Sequence, residues 1–219
     1  MRKLLYLGFA AIVALALNGC GGHSDPVFVA QILSDPGVDG DIAEDIDTGI
    51  LSSPVLASGT GSVRVGIDPS IGLFGTEYRG FLHFPLDGST GFDAVPADAT
   101  IVSATLEIFI DTVQFSPTVP VRMDLVWFPP PLISSDYDVT VLPSLLTRGT
   151  FNILSTDPIP PRVGVLIDVT PLMREAQRLG LADFQVRFLL DPLALAGFVG
   201  IEDLPNFAVT APLLIVEYR

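Results

Sequence analysis

Residues 100–113 read TIVSATLEIFIDTV, and their alternation decides the fold class. Val102, Ala104, Leu106, Ile108 and Ile110 share one parity, while Ser103, Thr105, Glu107 and Asp111 share the other. Phe109 is the apolar exception on the second set. Successive side chains of a strand point to opposite faces, so this stretch predicts one long strand with a core face and a wetter face. Just upstream, YRGFLHFPL at 78–86 sets Gly80, Leu82, Phe84 and Leu86 against Arg79, Phe81 and His83.

The same pattern continues outward. In 119–128, Val121, Met123, Leu125 and Trp127 fall on the inward parity, which leaves Phe128 as the more exposed ring before three prolines. Residues 184–190 alternate again, with Phe184, Val186, Phe188 and Leu190 inward. Residues 213–218 read as a closing strand in the middle of a sheet. Shorter strands are expected at 27–33, 62–67, 139–142, 150–154 and 162–169, and DGDIAEDID at 39–47 reads as an acidic loop. One helix stands out after Val169. Thr170 can cap it, Pro171 suits its first turn and Gly180 its stop, with Leu172, Ala176 and Leu179 on the buried side. With 20 Gly and 19 Pro in 219 residues, 49% of them hydrophobic, the chain predicts an all-β, two-sheet sandwich with one short helix.

The first twenty residues read as an address. Arg2 and Lys3 precede an apolar run at 4–17, too short to span a bilayer core of ~30 Å comfortably. Leu17-Asn18-Gly19-Cys20 resembles the lipobox of bacterial lipoproteins. That resemblance implies a signal peptide at 1–19, a lipidated Cys20 with a tether to residue 38, and a sandwich domain from 39 to 219. It places the protein in the bacterial cell envelope, lipid-anchored after secretion across the inner membrane. Gly21 is not the aspartate associated with inner-membrane retention, so the outer membrane is expected. Losing Arg2 and Lys3 leaves 9 of 11 basic residues against 25 acidic ones, a net of −16, which disfavours nucleic acid as a partner. Cys20 is the only cysteine, Lys3 the only lysine, and His83 the only histidine besides His23. Cys-His catalysis, lysine Schiff-base chemistry and multi-histidine metal sites are thereby excluded.

Five segments taken in order carry a wider likeness: SVRVG at 62–66, YRGFLHFPL at 78–86, VPADATIVSATLEIFI at 95–110, IDVTPLM at 167–173 and PLLIVEY at 212–218. Together they resemble the disaggregatase-related DNRLRE domains, which overlap a family of carbohydrate-binding modules. The resemblance covers about 41–219 and implies a jelly-roll arrangement of the sandwich.

Candidate binding residues follow from parity. Arg79, Phe81 and His83 on one strand, with Glu107 and Phe109 on the next long one, could line a shared outward face. Aromatic rings beside an arginine and a carboxylate suit sugars, whose C–H faces stack while hydroxyls bond to the polar groups. A covering of loops or helix over that face is the competing reading. Phe128 and Tyr137 are further aromatic candidates. No cofactor is expected; Asp39, Asp41 and Asp45 could ligate a structural calcium, but Ala43 and Glu44 break the EF-hand order and a solvated acidic loop is the competing reading. No catalytic residue is assigned, since no spacing singles out two facing carboxylates.

The expectation is a non-catalytic surface lipoprotein whose sandwich binds a glycan or cell-surface polymer. The alternative is a structural or assembly module of an envelope complex that binds a protein partner, favoured by a mean hydropathy of +0.55. A carboxylate-dependent hydrolase or lyase would need two acids converging in a cleft.

Overall fold

The computed structural model describes residues 26–219 except 92, 161–162, 195 and 205–208. Among these residues, fourteen strands make two antiparallel sheets. The smaller sheet has the order β1 (Phe28–Leu33), β14 (Leu213–Tyr218), β7 (Ile101–Ile108) and β11 (Val165–Asp168). The larger sheet runs β10 (Leu146–Leu154), β9 (Thr118–Val126), β12 (Asp183–Leu190), β6 (Thr76–Pro85), β5 (Ser62–Asp68), β13 (Gly197–Glu202) and β8 (Ile110–Gln114). To β6 it adds β2 (Gly40–Asp45), which carries β3 (Ile50–Leu51) and β4 (Val55–Leu56). The fold is a β-sandwich with one short helix, Thr170–Leu179, besides single turns at Ala57–Thr60 and Ser134–Tyr137.

The core lies where the period-two pattern puts it. Ala104, Leu106, Ile108 and Ile110 are buried between the sheets, facing Leu82, Phe84, Met123, Leu125, Phe184, Val186 and Phe188. In the small sheet Ile32, Leu214, Leu106 and Ile167 are directly opposed across four strands, and all four are buried. Two details differ from the one-strand expectation. The stretch divides at Phe109, so that β7 serves the small sheet and β8 the large one. A register irregularity between Glu217 and Tyr218 then turns Ile101 inward and leaves Val102 only partly covered. A bulge puts two residues opposite one, which reverses the parity beyond it.

Other boundaries also move. β1 pairs with β14 along its whole length, so the sandwich begins at Phe28 and the segment to residue 38 is no mere tether. The acidic run expected as a loop forms β2, because Ile42 enters a core and Asp41 meets Arg64. Residues 139–142 are turn rather than strand. The helix has the expected span, but Thr170 is its first residue and not its cap. The Thr170 N–H donates to Asp168 Oδ1, and its Oγ1 accepts from the Ala104 N–H. Met173, not Leu179, joins Leu172 and Ala176 in the core. Gly180 ends the helix at φ 67, a left-handed conformation that favours glycine.

Candidate functional site

The outward face of the large sheet is closed by the chain's own connection between β9 and β10. Phe81, Arg187, Asp124 and Thr147 are opposed in a row across four strands, and His83, Gln185 and Val126 form the next row. Over them lies a strap, residues 127–145, which contributes Phe128, Leu132, Tyr137 and Leu142 to a second core with Ile42, Phe81 and Val126. Phe81 meets Phe128 edge to face, ring centroids 5.9 Å apart.

Polar groups of the sheet hold the strap by its backbone. The Gln185 side-chain amide donates to the Phe128 carbonyl at 3.0 Å, and its Oε1 accepts the Phe128 N–H at 2.8 Å. Arg187 donates to the Leu142 carbonyl at 2.8 Å and pairs with Asp124 at 3.0 Å. Thr147 and Arg122 donate to the same carboxylate. Burial lowers the Arg187 pKa, against the opposing pull of the Asp124 hydrogen bond and charge. A third clamp is Arg79, whose Nη1 donates to the Tyr137 carbonyl at 2.6 Å while its guanidinium stacks 3.8 Å from the Tyr137 ring centroid.

Two hollows flank the strap. One, of about 380 Å³, is lined by Glu44, Gly49, Leu51, Arg79, Tyr137, Asp138 and Val139. Arg79 there is also bonded to Glu77 at 3.2 Å. Burial, and then the Glu77 charge, push the Tyr137 hydroxyl far above its ordinary pKa. The other hollow, of about 370 Å³, is bounded by Trp127, Phe128, Pro129, Asp136, Val141, Leu142, Pro143 and Leu145, and is mostly apolar. Trp127 is 51% exposed and Phe128 only 1%, the reverse of the sequence expectation. β9 ends at Val126, so strand parity no longer governs either ring.

The expected outward set is therefore only partly assembled. Arg79 and Tyr137 meet. Phe81 and His83 share the sheet face but are buried, as is Phe128. The His83 Nε2 lies 3.6 Å from Asp183. Glu107 stands on the small sheet, and Phe109 is half-buried at the strand break, its carbonyl accepting the Glu202 N–H. The division of β7 from β8 puts Glu107 on the opposite sheet from Arg79 and leaves Phe109 in neither strand.

Asp39, Asp41 and Asp45 do not converge. Asp41 pairs with Arg64 at 2.7 Å, Asp45 accepts the Asp47 and Thr48 N–H groups, and Asp39 is buried beside Asp203. Among the described residues no three carboxylate, histidine or cysteine side chains are grouped as metal ligands. Cys20 lies outside the described residues. No helix among them is long and apolar enough to cross a membrane. No protein-family model matches the chain, and no curated protein matches it.

Sequence reasoning missed Asp138, Gln185 and Arg187, weighed Glu44 only as an oxygen ligand in the acidic run, and turned Trp127 inward. The sequence held little signal for Gln185 and Arg187: in 183–190, DFQVRFLL, they alternate with Asp183 against apolar residues and read as a wet face, and only Leu189 departs from that pattern.

Proposed function

We propose that the protein is a non-catalytic, lipid-anchored protein of the bacterial envelope whose sandwich binds a glycan or cell-surface polymer beside the strap. The observation that carries this reading is the polar hollow in which Arg79, the Tyr137 edge, Glu44 and Asp138 converge. A cation and two carboxylates in one half-open recess supply partners for sugar hydroxyls, while the Tyr137 ring lies buried beneath Arg79 and holds it in place. Arg79 is already stacked and bonded on two sides, so it acts as a preorganised contact and not as a mobile acid or base. The likeness to DNRLRE and carbohydrate-binding jelly rolls, and the lipobox-like Leu17–Cys20 segment, support the same assignment.

Affinity electrophoresis against a panel of neutral and acidic polysaccharides tests it. At least one should retard the wild type, and Arg79→Met should abolish the retardation while keeping the circular dichroism of the fold. A folded wild type that no polysaccharide retards would reject the reading. Metabolic acyl labelling, lost in Cys20→Ser, tests the anchor.

A second reading, an assembly module that docks to an envelope protein, is favoured by the other hollow. A half-exposed tryptophan beside an apolar recess fits an anchoring side chain of a partner. Cross-linking in membranes should then recover a stoichiometric protein, and Trp127→Ala should release it.

A further inference from the structure

Two acids meet in the interior, away from the strap. Asp39 lies on the connection between β1 and β2, and Asp203 directly follows β13. Both are fully buried, with their carboxyl groups within hydrogen-bonding reach of each other. Each has one oxygen engaged: Asp39 Oδ1 accepts the His83 backbone N–H, and Asp203 Oδ1 accepts the Ser34 hydroxyl at 3.3 Å. The Oδ2 atoms of both have no other donor. Two carboxylates are acceptors only, so a contact between them requires that one carry a proton.

Among the described residues, none of the neighbours offers a free cation in its place. On the β1–β2 connection, Asp35 adds negative potential at Asp203. From β2 and β5, Asp41 and Arg64 neutralise one another. The His83 ring on β6 is turned to Asp183. Burial raises the pKa of both acids, and the Asp203 charge raises Asp39 further.

We infer that Asp39 and Asp203 share a single proton and form a latch that ties the β1–β2 connection to the end of β13. Protonated Asp39 donates to Asp203 Oδ2, and loss of that proton sets two negative charges face to face in a dry site. A hollow of about 220 Å³ lined by Leu33, Ser34, Pro36, Thr90, Asp203, Leu204 and Ala211 gives water a way in when the latch opens. Because Asp39 holds its proton more tightly folded than unfolded, its stabilisation is complete at acid pH. It is lost as pH rises from the ordinary carboxylate range through the raised value.

The test compares wild type with Asp39→Asn and Asp39→Ala by thermal unfolding and amide hydrogen exchange from about pH 5 to about pH 9. Asparagine keeps both contacts, since its amide N–H can donate to Asp203 while its oxygen accepts from His83. The wild-type Tm should fall across the range and exchange at residues 34–41 should quicken beyond the intrinsic pH effect. Asp39→Asn should hold a level Tm and slow exchange, and Asp39→Ala should melt lower than both at acid pH. The latch is overturned if Asp39→Asn melts as low as Asp39→Ala, or if its Tm falls with pH as steeply as the wild type's. It is also overturned if calcium chloride raises the wild-type Tm at neutral pH but not that of Asp39→Asn, because both acids would then be ionised around a cation. Infrared spectra of the wild type add a readout without substitution: a protonated carboxyl absorption should persist at neutral pH and vanish in Asp39→Asn.

Discussion

The Arg187 guanidinium and the Asp124 carboxylate meet at 3.0 Å with both side chains wholly buried between the large sheet and its strap. Desolvating two charges costs several kcal/mol, offset here by mutual attraction and by bonds to Leu142, Thr147 and Arg122. Removing one partner strands the other. Arg187→Ala should destabilise by about 3–5 kcal/mol in urea unfolding, whereas Arg187→Met with Asp124→Leu should cost much less. Equal losses in the two proteins would show that the pair does not carry its own compensation.

Gln185 makes the strap's first attachment. Gln185→Ala leaves the Phe128 N–H and carbonyl without their partner. The expected loss is about 1–3 kcal/mol, with faster amide exchange concentrated in 127–133 and a shift in Trp127 emission. Exchange spread evenly over the domain would argue against a local clamp.

The carboxylates should divide by environment. Hydroxyl and N–H donors from Ser89, Thr140, Thr170 and Thr150 hold Asp87, Asp138, Asp168 and Asp191 below the usual range. Their contribution is present above the unfolded value and is lost as pH falls through the folded one. Carbon-13 carboxyl titration should find these four below model values and Asp39 above, and Thr150→Val should move Asp191 back up. A common value for all five would contradict the assignment.

Gly180 stops the helix with positive φ in open space. Gly180→Ala should cost roughly 1 kcal/mol from backbone conformation alone, measured by denaturant midpoint. No loss would mean that the helix end relaxes.

Trp127 is a surface ring, so Trp127→Ala should leave the melting temperature nearly unchanged. It should also leave polysaccharide retardation intact while weakening any protein partner. That separates the two hollows on either side of the strap.

Much of the sandwich was legible in sequence because burial between two sheets writes itself as period two. Leu106, Ile108, Leu82 and Phe84 needed no further context, and Pro171 with Gly180 marked the helix. What could not be read was the strap. Its burial comes from contacts distant in sequence, and Pro129–Pro131 followed by a mixed polar stretch has no periodicity to betray an inward face. Phe81 and His83 therefore looked outward when they were only on the other side of the sheet. The reversal of Trp127 and Phe128 has the same origin, since parity stops being informative once the chain leaves the ladder. Of the candidate set, Arg79 and Tyr137 come together because the strap carries one of them to the other.

The most direct measurement concerns His83, which shares the strap-covered face and is 5% exposed. Carbethoxylation followed by mass spectrometry should find it nearly unreactive in the folded wild type and markedly faster in Gln185→Ala, where the strap is loosened. Modification of wild-type His83 at the rate of a free histidine peptide would mean that the sheet face is open, and the account of a closed face with binding at its rim would fail.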